Sequence, residues 1–302
     1  RSQRPISLEV AAGSSARQVL NELHDLDLIP STRAARLYLR LRGDGRHLHF
    51  GTYAFDEGLR PIEVLENLLD GTVEMFQVTV VEGDLAIELG DRFIAHGVGD
   101  SAQWEALFSR VEWVAEIAPD APSLEGFFFP DTYRFAVGID AETAAEHLVH
   151  RLLSVWREES EAADSLWGTP QEILTLASLI EAETSLAEER PTIAGVFVNR
   201  LRRGMLLQCD PTVVYALKRR NQWQGRLLRI HLDVDDPYNT YRYPGLPPGP
   251  INSPGRAAIA AAIAPEITPF LYFVARAGGG HQFSRTLAEH NRAVARLRAS
   301  RR

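Results

Sequence analysis

The sequence predicts an α+β protein in which small mixed modules precede a mainly helical region. Strand-like alternation of apolar and polar residues occurs at 6–10, 47–53 and 76–81. From residue 85 onward the apolar residues recur at helical spacing. The chain has 302 residues, of which 45% are hydrophobic, so it is large enough for two or three domains with cores of their own.

Helices separate the strands of the first 82 residues. Ser15 ends a turn that caps a predicted helix at 16–26, and Ser31 or Thr32 caps a second helix at 33–42. Pro61 lies near the start of a third helix, which ends at Gly71. We therefore predict small α+β modules, with one at residues 1–46 and another at 47–82.

Helices dominate the predicted domain at residues 83–302. Their expected positions are 87–96, 102–117, 141–157, 170–185, 190–203 and 253–264. A long irregular region rich in proline and glycine spans 233–254, and ordered loops of this kind commonly carry functional residues.

Composition and charge exclude several classes of function. The net charge is −8 without a basic block, so we expect no nucleic-acid partner. The single cysteine, Cys209, excludes an internal disulfide and a cysteine-based zinc site, and the scattered histidines do not indicate a metal. Residues 278–280 are glycines without the Lys-Ser/Thr of a phosphate loop, so we predict no nucleotide and no cofactor.

No run of about 18 apolar residues is present, so nothing in the sequence is expected to span a bilayer. The sequence begins at Arg1 without an initiating methionine. We therefore expect it to be part of a longer chain, whose targeting segment the sequence does not report.

The predicted helix at 170–185 carries two carboxylates on an otherwise apolar surface. On a helical wheel Glu181 and Glu183 project about 160° apart, so they should have different surroundings. A glutamate among apolar side chains has a raised pKa, as a general acid near neutral pH requires. The alternative is a structural ion pair with Arg190 or Arg200. The helix pattern alone does not choose between the two carboxylates.

Seven short blocks, taken in order, resemble the endolytic murein transglycosylase (YceG-like) family of bacteria. They are EGFFFPDTY at 125–133, ASLIEAET at 177–184, VFVNRL at 196–201, QCDPT at 208–212, YNTY at 238–241, GLPPG at 245–249 and LYFV at 271–274. The resemblance covers about residues 50–295. The region around 51–53 and 81–83 also resembles the LysM-like module that precedes the catalytic domain of this family.

The resemblance implies a lysozyme-like, YceG-like catalytic domain on the outer face of the bacterial inner membrane, behind a single-pass N-terminal anchor. It implies endolytic cleavage of the bond between N-acetylmuramic acid (MurNAc) and N-acetylglucosamine (GlcNAc) within peptidoglycan strands. The expected products are 1,6-anhydro-MurNAc ends, which would terminate nascent strands. The implied partners are peptidoglycan and the cell-wall synthases of the membrane.

The family motif also implies which glutamate is the acid. Its catalytic residue is the second glutamate of Glu-x-Glu, which corresponds to Glu183, followed by Thr184 where related enzymes place a serine. Glu181 remains the alternative. Cys209 departs from the Ser or Thr that is usual at its position.

Further side chains are candidates for binding sugar hydroxyl and acetamido groups. The alternative role for the loop residues among them is to stabilise turns and cap helices. The candidates are Gln208, Asp210, Asn239, Tyr241, Glu125 and Tyr133.

Two other functions compete with a lytic transglycosylase. A hydrolytic muramidase would need a second carboxylate to activate water, for which Glu125 and Asp210 are the candidates. A catalytically inactive peptidoglycan-binding scaffold is the other possibility, although an intact Glu183 argues against it.

Overall fold

The computed structural model describes residues 6–10, 14–42, 51–55, 59–71 and 74–300 of the chain. It divides into two compact units. The first unit comprises residues 1–78, 92–100 and 132–144, and the second comprises 79–91, 101–131 and 145–302. Helices and short strands occur in both, which confirms the α+β class.

The first unit packs three helices and a strand pair around one core. Its elements are β1 (Ile6–Val10), α1 (Ala16–Asp25), α2 (Thr32–Arg42), β2 (Gly51–Phe55), α3 (Pro61–Asp70), β3 (Met75–Thr79) and β4 (Thr132–Ala136). Strands β1 and β2 pair antiparallel with Leu8 opposite Tyr53, and β3 pairs with β4. The core joins Leu8, Leu23, Leu39, Tyr53 and Leu68.

This single core draws on both of the modules predicted at 1–46 and 47–82. The boundary at residue 46 lies outside the described residues. The boundary predicted at residue 82 is four residues after residue 78, where the chain first leaves the first unit. The division into domains therefore stays a prediction.

The second unit is mainly helical. Its elements are α5 (Ser101–Phe108), α7 (Pro170–Glu183), α8 (Arg190–Arg202), α9 (Asp210–Arg219), α10 (Arg256–Ile263), β5 (Tyr272–Ala275), β6 (His281–Ser284) and α11 (Leu287–Ser300). Helices α4 (Ala86–Ala95) and α6 (Ala141–Glu161) contribute residues to both units. None of the helices in the described ranges is long and apolar enough to cross a bilayer.

Helix α7 is the centre of the second unit. Every residue from Ile173 to Ile180 is buried, and the helix contacts α8, α9 and α10. A helix that is apolar all round has to be covered on all sides. The apolar sequence of α7 therefore places it inside the unit, where only its ends reach polar surroundings.

Most predicted elements are confirmed to within a few residues, but three expectations differ. The helix predicted at 102–117 is α5 followed by a 3-10 turn at Val111–Val114, because the carbonyl of Phe108 accepts the N–H of Leu124 at 2.8 Å. The strands β4, β5 and β6 and the helix α11 were not predicted. The strand expected at 47–53 overlaps β2, and its first four residues lie outside the described ranges.

We predict that Gly195→Ala destabilises the second unit. A Cβ at this position in α8 would overlap the carbonyl oxygen of Glu266 and lie 2.8 Å from Cγ2 of Thr268. Overpacking of this kind costs about 1–3 kcal/mol. Urea-induced unfolding should therefore shift to lower urea concentration. The matched control is Gly278→Ala, where nothing lies within 4 Å of the new Cβ, and an equal loss in both variants would contradict the close packing of α8.

Candidate active site

The local sequence fixes where α7 begins and ends. Thr169 and Glu172 form a capping box, in which the hydroxyl of Thr169 accepts the N–H of Glu172 and the carboxylate of Glu172 accepts the N–H of Thr169. Pro170 occupies the first turn, where its missing N–H has no cost. The helix ends at Glu183 because Thr184 adopts an extended conformation with φ −149°. Both candidate carboxylates therefore lie in the last turn.

Glu183 lines a cavity of about 350 Å³ within the second unit. Polar and charged side chains from four further helices and strands and from two loops share its wall: Arg200, Gln208, Asp210, Tyr241, His281 and His290. Such a concave site with converging polar groups is the usual form of a small-molecule or sugar-binding pocket.

The surroundings of Glu183 favour its protonated form. Burial raises the pKa of this carboxyl, and the negative charge of Asp210 adds to the effect. The thiol of Cys209 and the positive charges of His281 and Arg200 act in the opposite direction without cancelling it. Glu183 can therefore hold a proton at a pH where an exposed glutamate has lost it.

The thiol of Cys209 contacts this carboxyl directly. Burial raises the pKa of Cys209, so the thiol stays protonated. Its S–H donates a hydrogen bond to Oε1 of Glu183 at 3.1 Å. The backbone of Cys209 is itself fixed, since its N–H donates to Oγ1 of Thr240 at 3.0 Å and its carbonyl accepts the hydroxyl of Thr212 at 2.7 Å. The Oε2 atom of Glu183 accepts no hydrogen bond from the described residues, so it is the carboxyl oxygen that is free to carry a proton.

Arg200 forms another part of the wall and is held by backbone carbonyls. Its Nε donates to the carbonyl of Leu271 at 2.6 Å and its Nη1 to that of Leu207 at 2.7 Å. The guanidinium lies over the ring of Tyr272, 5.1 Å from the centroid. Arg200 thus joins the loop before α9 to strand β5 and places a positive charge beside the cavity.

Glu181 has a different environment, as the helical wheel predicted. Its Oε1 accepts from Nη2 of Arg190 at 2.7 Å, and its Oε2 accepts the N–H of Gly255 at 2.9 Å. Both side chains of the pair are buried, with about 5–6% of their surface exposed. Burial raises the pKa of Glu181, and the N–H of Gly255 and the charge of Arg190 offset part of that effect. The ion-pair interpretation therefore describes Glu181, with Arg190 as the partner.

Three of the predicted substrate-binding residues line the cavity. The backbone of Gln208 has φ +49°, and its N–H donates to the carbonyl of Thr240 at 3.1 Å. The exposed side chain of Gln208 has no hydrogen-bond partner among the described residues. Asp210 is the first residue of α9, and its Oδ1 accepts the hydroxyl of Tyr241. Burial and the adjacent carboxylate of Asp210 raise the pKa of Tyr241, so its hydroxyl remains a donor.

The other three predicted substrate-binding residues lie elsewhere. Asn239 is fully buried; its Nδ2 donates to the carbonyls of Leu232 and Val234 and its Oδ1 accepts the N–H of Tyr241, so the amide serves the loop. Glu125 is buried away from this cavity, where its Oε1 accepts the N–H of Ala86 at 2.9 Å.

Burial raises the pKa of Glu125 to about 7.

Tyr133 lies on β4 in the first unit, with its ring stacked on Phe135. Its role in substrate binding stays a prediction.

Sequence reasoning missed part of the cavity wall. His281 was not among the predicted site residues; its Nδ1 contacts Oε2 of Glu189 at 2.6 Å and its N–H donates to Oε1 of the same residue. Tyr272 and His290 were not predicted; their rings stack 5.4 Å apart. The only signals in the sequence were the GGGH turn at 278–281 and the LYFV block. The described residues contain no group of three or more potential metal ligands.

A second cavity, of about 360 Å³, borders the first. Asp210 lines both cavities. The wall of the second is largely apolar and includes Leu85, Val214 and Leu227, together with Asn252 and Lys218. The two cavities thus meet at Asp210, the first residue of α9.

The chain is similar to known proteins over nearly its whole length. The model of the YceG-like family matches residues 8–296. The endolytic murein transglycosylase of Bacillus subtilis is 31% identical over 311 residues, covering 97% of this chain and 84% of that protein. The endolytic murein transglycosylase of Streptococcus pneumoniae is 28% identical over 335 residues, and this chain spans 58% of its length.

A solved structure supports the same relationship. The crystal structure of a YceG-like protein from Listeria monocytogenes matches with a TM-score of 0.62 and 30% identity, covering 96% of this chain and 99% of that one. Sequence and fold therefore agree, and the chain belongs to the YceG-like family.

Proposed function

We propose that this chain is an endolytic murein transglycosylase that uses Glu183 as its only acid and base. The proposal rests on a mostly buried carboxyl whose pKa is raised by burial, in a polar cavity, with no ion pair to an arginine or lysine among the described residues. The relatives from Bacillus subtilis and Streptococcus pneumoniae bear this name. The substrate is the β-1,4 bond between MurNAc and GlcNAc inside a glycan strand.

The first step breaks the glycosidic bond. Protonated Glu183 donates its proton to the bridging oxygen as the bond to C1 of MurNAc breaks, which releases GlcNAc with a free hydroxyl. The 2-acetamido group of MurNAc stabilises the positive charge that develops at C1. Because the thiol of Cys209 occupies Oε1 of Glu183, the proton leaves from Oε2.

The second step closes a ring and restores the enzyme. The C6 hydroxyl of MurNAc attacks C1 and gives its proton to the carboxylate of Glu183. The product is a 1,6-anhydro-MurNAc end, no water is consumed, and the acid is regenerated. One carboxyl is therefore sufficient, in contrast to the two that most glycosidases use.

A hydrolytic muramidase would need a second carboxylate that activates water. Glu125 does not line the cavity, so Asp210 is the remaining candidate of the two. The Oδ1 of Asp210 already accepts the hydroxyl of Tyr241, which disfavours the role of base. The chemistry of the new chain ends distinguishes the two reactions directly.

The two cavities favour cleavage within a strand over removal of terminal units. An endolytic enzyme must hold sugars on both sides of the bond that it cuts. The first cavity contains Glu183, and the second continues beyond Asp210 with a largely apolar wall suited to sugar faces. A strand lying across both would present an internal bond to the acid.

The proposal extends to the setting of the enzyme. As the family resemblance implies, residues 47–82 serve as a LysM-like module, and the catalytic unit acts outside the inner membrane, held by an anchor and close to a cell-wall synthase. These features rest on the resemblance alone.

We predict that Glu183→Gln abolishes the formation of anhydro ends. Loss of the acid should lower the rate by about 10²–10⁴-fold. The measurement is mass spectrometry of the products formed from uncrosslinked peptidoglycan strands. Reducing ends from the unmodified protein would replace the lytic mechanism by hydrolysis.

Glu181→Gln is the matched control, two residues away on the same helix. This change removes one charge of a buried ion pair and should destabilise the fold by about 3–5 kcal/mol. Per folded molecule, however, it should leave the anhydro products unchanged. If Glu181→Gln abolished the chemistry and Glu183→Gln did not, the assignment of the acid would be wrong.

We predict that Cys209→Ala shifts the pH dependence of kcat/KM to higher pH. The thiol hydrogen bond lowers the pKa of Glu183, so its removal raises that pKa further. Activity requires protonated Glu183 and falls as pH rises through its pKa, so the fall should occur at higher pH in Cys209→Ala.

Cys209→Ser provides the comparison, because a hydroxyl is a stronger donor than a thiol. Its activity should fall at the same pH as in the unmodified protein or at a lower one. Identical profiles for all three proteins would show that this contact does not act on the acid.

A further inference from the structure

The connection after α9 differs in charge from the rest of the chain. Residues 218–231, here called the basic segment, contain five lysines and arginines and no acidic residue, whereas the whole chain has a net charge of −8. The segment runs from the end of α9 into the 3-10 helix Arg229–Asp233. A local excess of positive charge on an acidic protein indicates a surface for anions.

Large apolar side chains project from the same segment. Leu228 is 43% exposed and Ile230 is 73% exposed. The N–H of Leu228 donates to Nδ1 of His231 at 3.1 Å, which fixes the start of the 3-10 turn that carries both side chains. Two exposed aliphatic residues on one short turn form a small apolar projection and not a scattered surface.

The cations nearest to this projection are not neutralised. Lys218 pairs with Glu88 at 3.1 Å, and Arg220 lies 3.7 Å from Asp236. Arg226 and Arg229 are exposed and have no ion pair or hydrogen bond within the described part of the chain. Their charges flank Leu228 and remain available to a partner.

We propose that the basic segment docks on the surface of an anionic lipid membrane. Leu228 and Ile230 would enter the boundary between headgroups and acyl chains, where apolar side chains leave water. Arg226 and Arg229 would then contact the lipid phosphates. A carboxylate-bearing polysaccharide would attract the arginines but offers no apolar layer for Ile230, so the combination favours a lipid surface.

The position of the segment relates the membrane to the cavities. Leu227, which lies between Arg226 and Leu228 in the sequence, lines the second cavity. Docking through the basic segment would therefore hold that cavity next to the lipid surface. This role is independent of the reaction that the chain catalyses.

The test is co-sedimentation of the chain with lipid vesicles. Vesicles of phosphatidylglycerol and phosphatidylcholine should bind the protein, and vesicles of phosphatidylcholine alone should bind it much less. Arg226→Gln with Arg229→Gln should weaken binding to the anionic vesicles roughly 30-fold at low salt. Leu228→Ser with Ile230→Ser should weaken it at least about tenfold.

Ile267→Ser is the matched control, because Ile267 is fully exposed in the same unit but lies outside the basic segment. It should bind vesicles as the unmodified protein does, and the melting temperatures of all variants should agree. Absence of vesicle binding by the unmodified protein, or an equal loss in Ile267→Ser, would overturn the proposal. So would variants that bind vesicles normally and lose binding only to purified peptidoglycan.

Discussion

The burial of Glu183 without an ion-pair partner among the described residues is the constraint on which the candidate active site depends. Its neighbour Glu181 is also largely buried, but the guanidinium of Arg190 and the N–H of Gly255 compensate its charge. Glu183 receives only the weak donor of Cys209. Burying a charged carboxylate without an ion-pair partner costs free energy, so burial favours the protonated carboxyl. One helix turn thus holds two carboxyls whose pKa values are both raised by burial, one in an ion pair with Arg190 and one facing the cavity.

The rest of the second unit keeps this last turn of α7 in place. The loop that follows the proline-rich block docks along the helix: the N–H of Ile251 donates to Oγ of Ser178 at 3.0 Å, and Nδ2 of Asn252 donates to the carbonyl of Ser178 at 2.9 Å. The same loop reaches Glu181 through Gly255. These hydrogen bonds tie the buried helix to the irregular loop and give the hydroxyl and carbonyl of Ser178 partners in the interior.

Local sequence patterns predicted much of this arrangement, but they did not predict contacts between residues far apart in the sequence. Helical periodicity placed Glu181 and Glu183 in different surroundings, which the structure confirms. Asn239 was a candidate for substrate binding or for loop stabilisation; its amide bonds the backbone of Leu232, Val234 and Tyr241, and its part in substrate binding stays a prediction. Strands β5 and β6 have only four residues each, too few for alternation to be recognised, and so the contact between His281 and Glu189 was not expected.

Titration of the Glu183 carboxyl by NMR tests its role as the acid. The protein would carry ¹³C at the side-chain carboxyl of glutamate, and the resonance of Glu183 would be assigned by its absence in Glu183→Gln. We expect a pKa above the ordinary value of about 4.3 for glutamate, because burial disfavours the charged carboxylate. A pKa at or below that value would mean that Glu183 is charged near neutral pH, and it would contradict its role as the acid.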